Sequence, residues 1–151
     1  MGLDMYLRLR QVHDFTKNQE SFDNAYGSDW KLSESIYTVC DWRKANAIHK
    51  WFVDNVQDGR DDCGRYPVRV ENLHKLKADC ETALTYFNEG DPEGAAAYMP
   101  TASGFFFGCT DYDEYYADDL RTTIRVCSKL IKTLESPNRR DWLSVEYESS
   151  W

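Results

Sequence analysis

The chain has 151 residues, with 26 acidic against 18 basic side chains, so its formal net charge is −8 at neutral pH. That length suits one domain with a core of its own, and 42% hydrophobic with 15% aromatic residues excludes a disordered or collagen-like chain. A pI near 4.8 argues against non-specific binding to duplex nucleic acid, and no apolar run reaches the roughly 18 residues of a membrane span. Charges at Asp4, Arg8 and Arg10 interrupt the place a signal peptide would keep apolar, so a cytoplasmic protein is expected. The five cysteines are odd in number, widely spaced and without a CxxC pair, which reads as free thiols rather than a zinc or redox site.

Met5 to Val12 alternates apolar with polar residues and predicts a strand with one covered face. Residues 14–34 read as a long loop holding Phe15, Phe22, Tyr26 and Trp30. Ser35 to Cys40, β-branched and aromatic at its centre, predicts a second strand. Asp41 stands as an N-cap ahead of a helix whose Ala45, Ile48, Phe52 and Val56 make one apolar stripe, ending at Asp58-Gly59. Tyr66 to Val70 predicts a short strand confined by Pro67 to an edge. Leu73, Leu76, Cys80, Ala83, Leu84 and Phe87 mark the buried face of a second helix, which the breaker cluster NEGDPEG ends. The apolar run between Gly104 and Gly108 predicts a central strand, and Asp111 with Glu114 has the capping-box offset for a third helix. Tyr116, Leu120, Ile124, Cys127, Ile131 and Leu134 carry its stripe, and Trp142 to Tyr147 alternates as a last strand. The expected fold is a single α+β domain over residues 1–151: a mixed sheet of about four or five strands packed with three helices.

Two constellations point to chemistry. Trp42, Arg43, Lys44, Asn46, His49, Lys50 and Trp51 crowd one predicted helix, placing cations and an amide beside indoles at a terminus that favours anions. The competing reading is a solvated face on which Lys50 pairs with Asp54. In TDYDEYY the tyrosines 112 and 116 are neighbours at i, i+4, able either to wall a pocket with Phe106 or to fill the core edge. Cys109 precedes a helix and would need His49 or His74 as a base to act as a nucleophile. The acids 58, 61 and 62 lack the offsets of a cation loop, the three histidines form no metal pair, and no phosphate-loop or esterase motif is present. The residues therefore assign no catalytic group, metal or cofactor.

The segments MGLDMYL, DWRKANAIHKWFVDNVQDGRDDCG, PTASGFFFGCTDYDEYY and the closing SSW together resemble a family of small, largely uncharacterised accessory proteins of bacteriophages and prophages. The likeness spans most of the chain, is weakest over 14–34 and 88–98, and brings no catalytic residues with it. Where such relatives carry a Ser or Thr cap before the second helix, this chain reads VRVEN. The resemblance implies a protein of the host-cell cytoplasm that acts in host takeover or counter-defence. On that footing the leading expectation is a sponge that sequesters a nucleotide-derived immune signal without catalysis. Arg43, Lys44, Asn46 and His49 would hold its polar groups, with Trp42, Trp51, Phe106, Tyr112 and Tyr116 stacking on bases. The alternative is an acidic inhibitor, presenting residues 54–62 and 111–119 to a basic groove of a CRISPR effector or nuclease. A small nucleotide-cleaving enzyme with a carboxylate or His49 as base is the weakest of the three. The partner is thus a nucleotide-type small molecule or a host defence protein, not a membrane or duplex nucleic acid, and five tryptophans with ten tyrosines favour a homodimer.

Overall fold

The computed structural model describes residues 2–12, 23, 27, 29–30, 33–137 and 142–151. In chain order the elements are β1 (Asp4–Val12), β2 (Glu34–Arg43), α1 (Asn46–Asn55), β3 (Arg65–Val68), α2 (Val70–Asn88), α3 (Pro92–Tyr98), α4 (Glu114–Leu134) and β4 (Trp142–Ser150). The strands form one sheet in the order β2-β1-β4-β3, and each neighbouring pair is antiparallel. The expected α+β domain is therefore present, but its sheet is antiparallel rather than mixed. Most of the loop predicted over 14–34 lies outside the described residues, and Glu34 at its end already belongs to β2.

Alternation along β1 sends Met5 and Leu7 into the core and Arg8 and Arg10 to the other face. There Arg8 pairs with Glu148, while Arg10 reaches Glu34 and Glu146, each at 3.2 Å. The covered face of the sheet and helix α1 meet at Phe52 and Tyr147, whose rings stack at 3.8 Å between centroids. Leu73, Leu76, Cys80 and Ala83 of α2 and Leu120, Cys127, Leu130 and Ile131 of α4 complete the core. Burying each large side chain contributes about 1.5–3 kcal/mol.

Four local expectations are corrected. First, β2 continues through Asp41, opposite Tyr6, and Trp42, opposite Met5, to Arg43, so Asp41 caps nothing and α1 begins at Asn46. Lys44 makes the break, with φ of 59°. Second, the run Gly104–Gly108 is a turn and not a strand. The Phe107 N–H returns to the Gly104 carbonyl, and the Phe107 ring lies where a Cβ on Gly104 would be, at 2.5 Å. Gly108 takes φ of 85° beside Lys44, a conformation that suits glycine. Third, NEGDPEG ends α2 but also starts α3: the Asp91 carboxylate accepts from Gly94 N–H and Pro92 occupies the first turn. Fourth, Val70 belongs to α2 and not to the short strand. At that helix start the Asn72 side chain accepts from the Arg69 N–H at 2.9 Å, supplying half of a capping box without a Ser or Thr.

Candidate functional site

The break at Lys44 and the start of α4 face each other across a hollow of about 320 Å³. One wall is Arg43, Lys44, Asn46 and Ala47; the other is Asp111, Asp113, Tyr115, Tyr116, Asp118 and Asp119, with Thr101, Gly108 and Cys109 between them. The second wall exists because Asp113, not Asp111 as the capping-box reading has it, caps α4: its carboxylate accepts from Tyr116 N–H three residues on, at 3.0 Å. The helical period then returns Tyr115 and Asp119 to one side, four residues apart. Tyr115 is 83% exposed. Burial, and then the charges of Asp118 and Asp113, push the Asp119 carboxyl up to about 7.

Of the nine residues predicted to bind a ligand, four line this hollow: Arg43, Lys44, Asn46 and Tyr116. Trp42 and Trp51 are buried, because one ends in the covered row of β2 and the other packs on Phe52. Their indole N–H groups are taken by Thr123 Oγ1 at 3.1 Å and Asp79 at 2.7 Å. Neither indole face is open to stack on a base. The phenol of Tyr116 is tied to the Met99 carbonyl, and its ring packs edge-on against Tyr112 at 4.8 Å. Tyr112 in turn accepts from Thr101 N–H, and Phe106 stands against Phe105 away from the hollow. The paired ring geometry of Tyr112 and Tyr116 is as predicted, yet it serves the core edge. Lys50 pairs with Asp54 at 2.8 Å, as the solvated-face reading has it.

Asn46 holds the turn that precedes α4. Its Nδ2 donates to the carbonyls of Phe107 and Cys109 at 3.0 and 2.8 Å, and its Oδ1 accepts from Ala102 N–H at 3.0 Å. Asn46→Ala is expected to lower unfolding free energy by about 1–2 kcal/mol, since water from the hollow takes over part of the lost bonding. Asn46→Asp should recover nothing, because a carboxylate would meet two carbonyl oxygens. Urea unfolding of the three proteins checks this.

His49 is 1% exposed and both ring nitrogens are occupied. A carboxylate can only accept, so the 3.0 Å contact to Asp61 places the proton on Nε2, and Tyr147 Oη donates to Nδ1 at 2.7 Å. The indole of Trp151 donates to the same Asp61 oxygen at 2.9 Å, anchoring the end of β4. His49 thus has no nitrogen to offer Cys109 or a substrate, and His74 is engaged with Glu135. Burial pushes the Cys40 and Cys127 thiols up to about 12 and Cys80 well above its ordinary value, leaving them inert. Among the described residues no group of three His, Cys, Asp or Glu could hold a metal, and no helix is long and apolar enough to cross a membrane.

Asp113, Tyr115, Asp118 and Asp119 were not singled out as site residues from the sequence, although the acidic stretch 111–119 was. The offset of Tyr115 to Asp119 was the available signal; their meeting with Arg43 depends on the sheet. No family model matches the chain, and neither curated proteins nor solved structures include a match to it.

Proposed function

We propose that the protein is a non-catalytic binding protein of counter-defence, whose acidic mouth occupies a basic, nucleic-acid-handling surface of a host defence protein such as a nuclease or CRISPR effector. The observation that carries this reading is the make-up of the hollow: four acidic side chains, of which Asp119 is raised to about 7 and the other three carry the charge, to two cations, with an exposed tyrosine at the rim. A unit charge about 6 Å from another interacts by about 3 kcal/mol at an effective dielectric of 20, so a net acidic hollow favours an arginine-rich partner over a phosphate. Tyrosine is the kind of rigid aromatic anchor that dominates protein interfaces. The resemblance to phage accessory proteins supports a defence protein as the partner.

A second reading, the nucleotide sponge, keeps support from Arg43, Lys44 and Asn46 lying in the same hollow. Expression in cells carrying a nuclease-based defence separates the two. Under the inhibitor reading, Asp111→Lys with Tyr115→Ala reduces phage protection at least tenfold and Arg43→Ala with Lys44→Ala does not. Under the sponge reading the second pair abolishes protection, and a cyclic dinucleotide raises the melting temperature of the unsubstituted protein. Protection unaffected by either pair would overturn both. Asp113 is left intact in these variants because it caps α4.

A further inference from the structure

At the opposite end of α4 a second hollow, about 720 Å³, lies between the covered face of the sheet and the helix. Its floor is Leu9 of β1, Val39 of β2 and Leu143 of β4, and its wall is Val126 and Leu130 of α4. Arg125 and Lys129, one helical turn apart, edge that wall and are exposed. The size falls within the roughly 300–1,000 Å³ of small-molecule sites, and an apolar body with a few polar groups at one side is their usual design.

No ion pair among the described residues accounts for the two cations. Among the described residues eight other arginines and lysines sit beside carboxylates, and one of them, Arg121, one turn earlier, pairs with Glu114 and Asp118. Among the described residues neither Arg125 nor Lys129 forms an ion pair, and the helix holds no acid from Leu120 to Leu134. The helix dipole favours cations only within the last turn, which accounts for Lys132 but not for Arg125 or Lys129. Two unpaired positive charges beside an aliphatic cavity complement one kind of small molecule.

We infer that this groove binds an anionic amphiphile: an aliphatic body between the sheet and α4, with a carboxylate or phosphate head on Arg125 and Lys129. The site is separate from the acidic mouth and does not rest on the function proposed above. Calorimetric titration with decanoate below its micellar concentration tests it, with decyl phosphate as the second head group. Decanol tests the need for charge, and vesicles containing phosphatidylglycerol test a membrane source. The expected result is saturable binding of decanoate or decyl phosphate, at least tenfold weaker for decanol and for the variant Arg125→Gln with Lys129→Gln, and no vesicle binding. Thr133→Trp, at an exposed position on the same wall, should block the groove without disturbing the core. Equal affinity for decanol, unchanged affinity in the charge variant at an unchanged melting temperature, binding to vesicles alone, or no binding at millimolar decanoate would each overturn the inference.

Discussion

Phe52→Ala is expected to destabilise the protein by about 3–5 kcal/mol, the range for truncating a buried phenylalanine. Phe52 is fully buried, stacks on Tyr147 with 8° between ring planes, and meets Trp51 edge-on. It joins α1 to β4, so its loss opens a cavity at the junction that also fixes the Tyr147–His49–Asp61 chain of hydrogen bonds. Against a total stability of roughly 5–15 kcal/mol the change lowers the melting temperature by about 6–20 °C. Calorimetry checks the value. A loss under 1 kcal/mol would mean that α1 is not held as described.

The second large effect is a dependence on pH that originates at Asp119. Its carboxyl is raised to about 7 in the folded protein, from an ordinary value of 3.8. Between those two values the folded state retains a proton that the unfolded state has released, so stability falls as pH rises through that window. Below it both states are protonated and nothing is lost; above about 7 the folded state carries the whole cost of the buried charge. The full shift corresponds to about 4 kcal/mol, which solvent access to this partly buried group reduces to about 2 kcal/mol. Asp119→Asn should therefore raise the melting temperature at pH 8 and leave it nearly unchanged at pH 4. A variant whose profile parallels that of the unsubstituted protein would contradict the assignment. The same carboxyl links to binding: a cation entering the hollow lowers its pKa, so binding near pH 7 should release a proton and show buffer-dependent heats.

Periodic burial was legible without coordinates. The alternation of Met5 and Leu7, the face of α2 from Leu73 to Ala83, and the Tyr112–Tyr116 neighbourhood all follow from the repeat of a strand or a helix. Reading failed where one local pattern has two physical solutions. Three phenylalanines between glycines satisfy a covered strand, but they equally satisfy a turn that leaves Phe105 93% exposed and buries Phe107. Asp-Pro after a helix serves as a stop and also as a cap with proline at the first position, which is how α3 arises. Asn46 and His49 carry the same side chains whether they face water or close an internal hydrogen-bond network, and only tertiary placement decides. For Trp42 and Trp51, the turn at Lys44 leaves one indole on the sheet's covered face against Thr123 of α4 and the other against Asp79 of α2, dissolving the stacking surface that their sequence proximity implied. Arg43 and Lys44 face the start of α4, and carboxylates outnumber them there because the helical turn brings Asp118 and Asp119 into the same wall as Asp111 and Asp113, which tertiary placement alone sets.

The most direct measurement is a titration of the protein at pH 7 and low salt with octa-arginine, a soluble stand-in for a basic groove, and in parallel with a cyclic dinucleotide. Saturable, salt-sensitive binding of octa-arginine with proton release is expected, at least tenfold weaker after Asp111→Lys with Tyr115→Ala, with no binding of the nucleotide. Micromolar nucleotide binding that persists in that variant, together with octa-arginine binding indifferent to it, would contradict the assignment of the acidic mouth as the working surface.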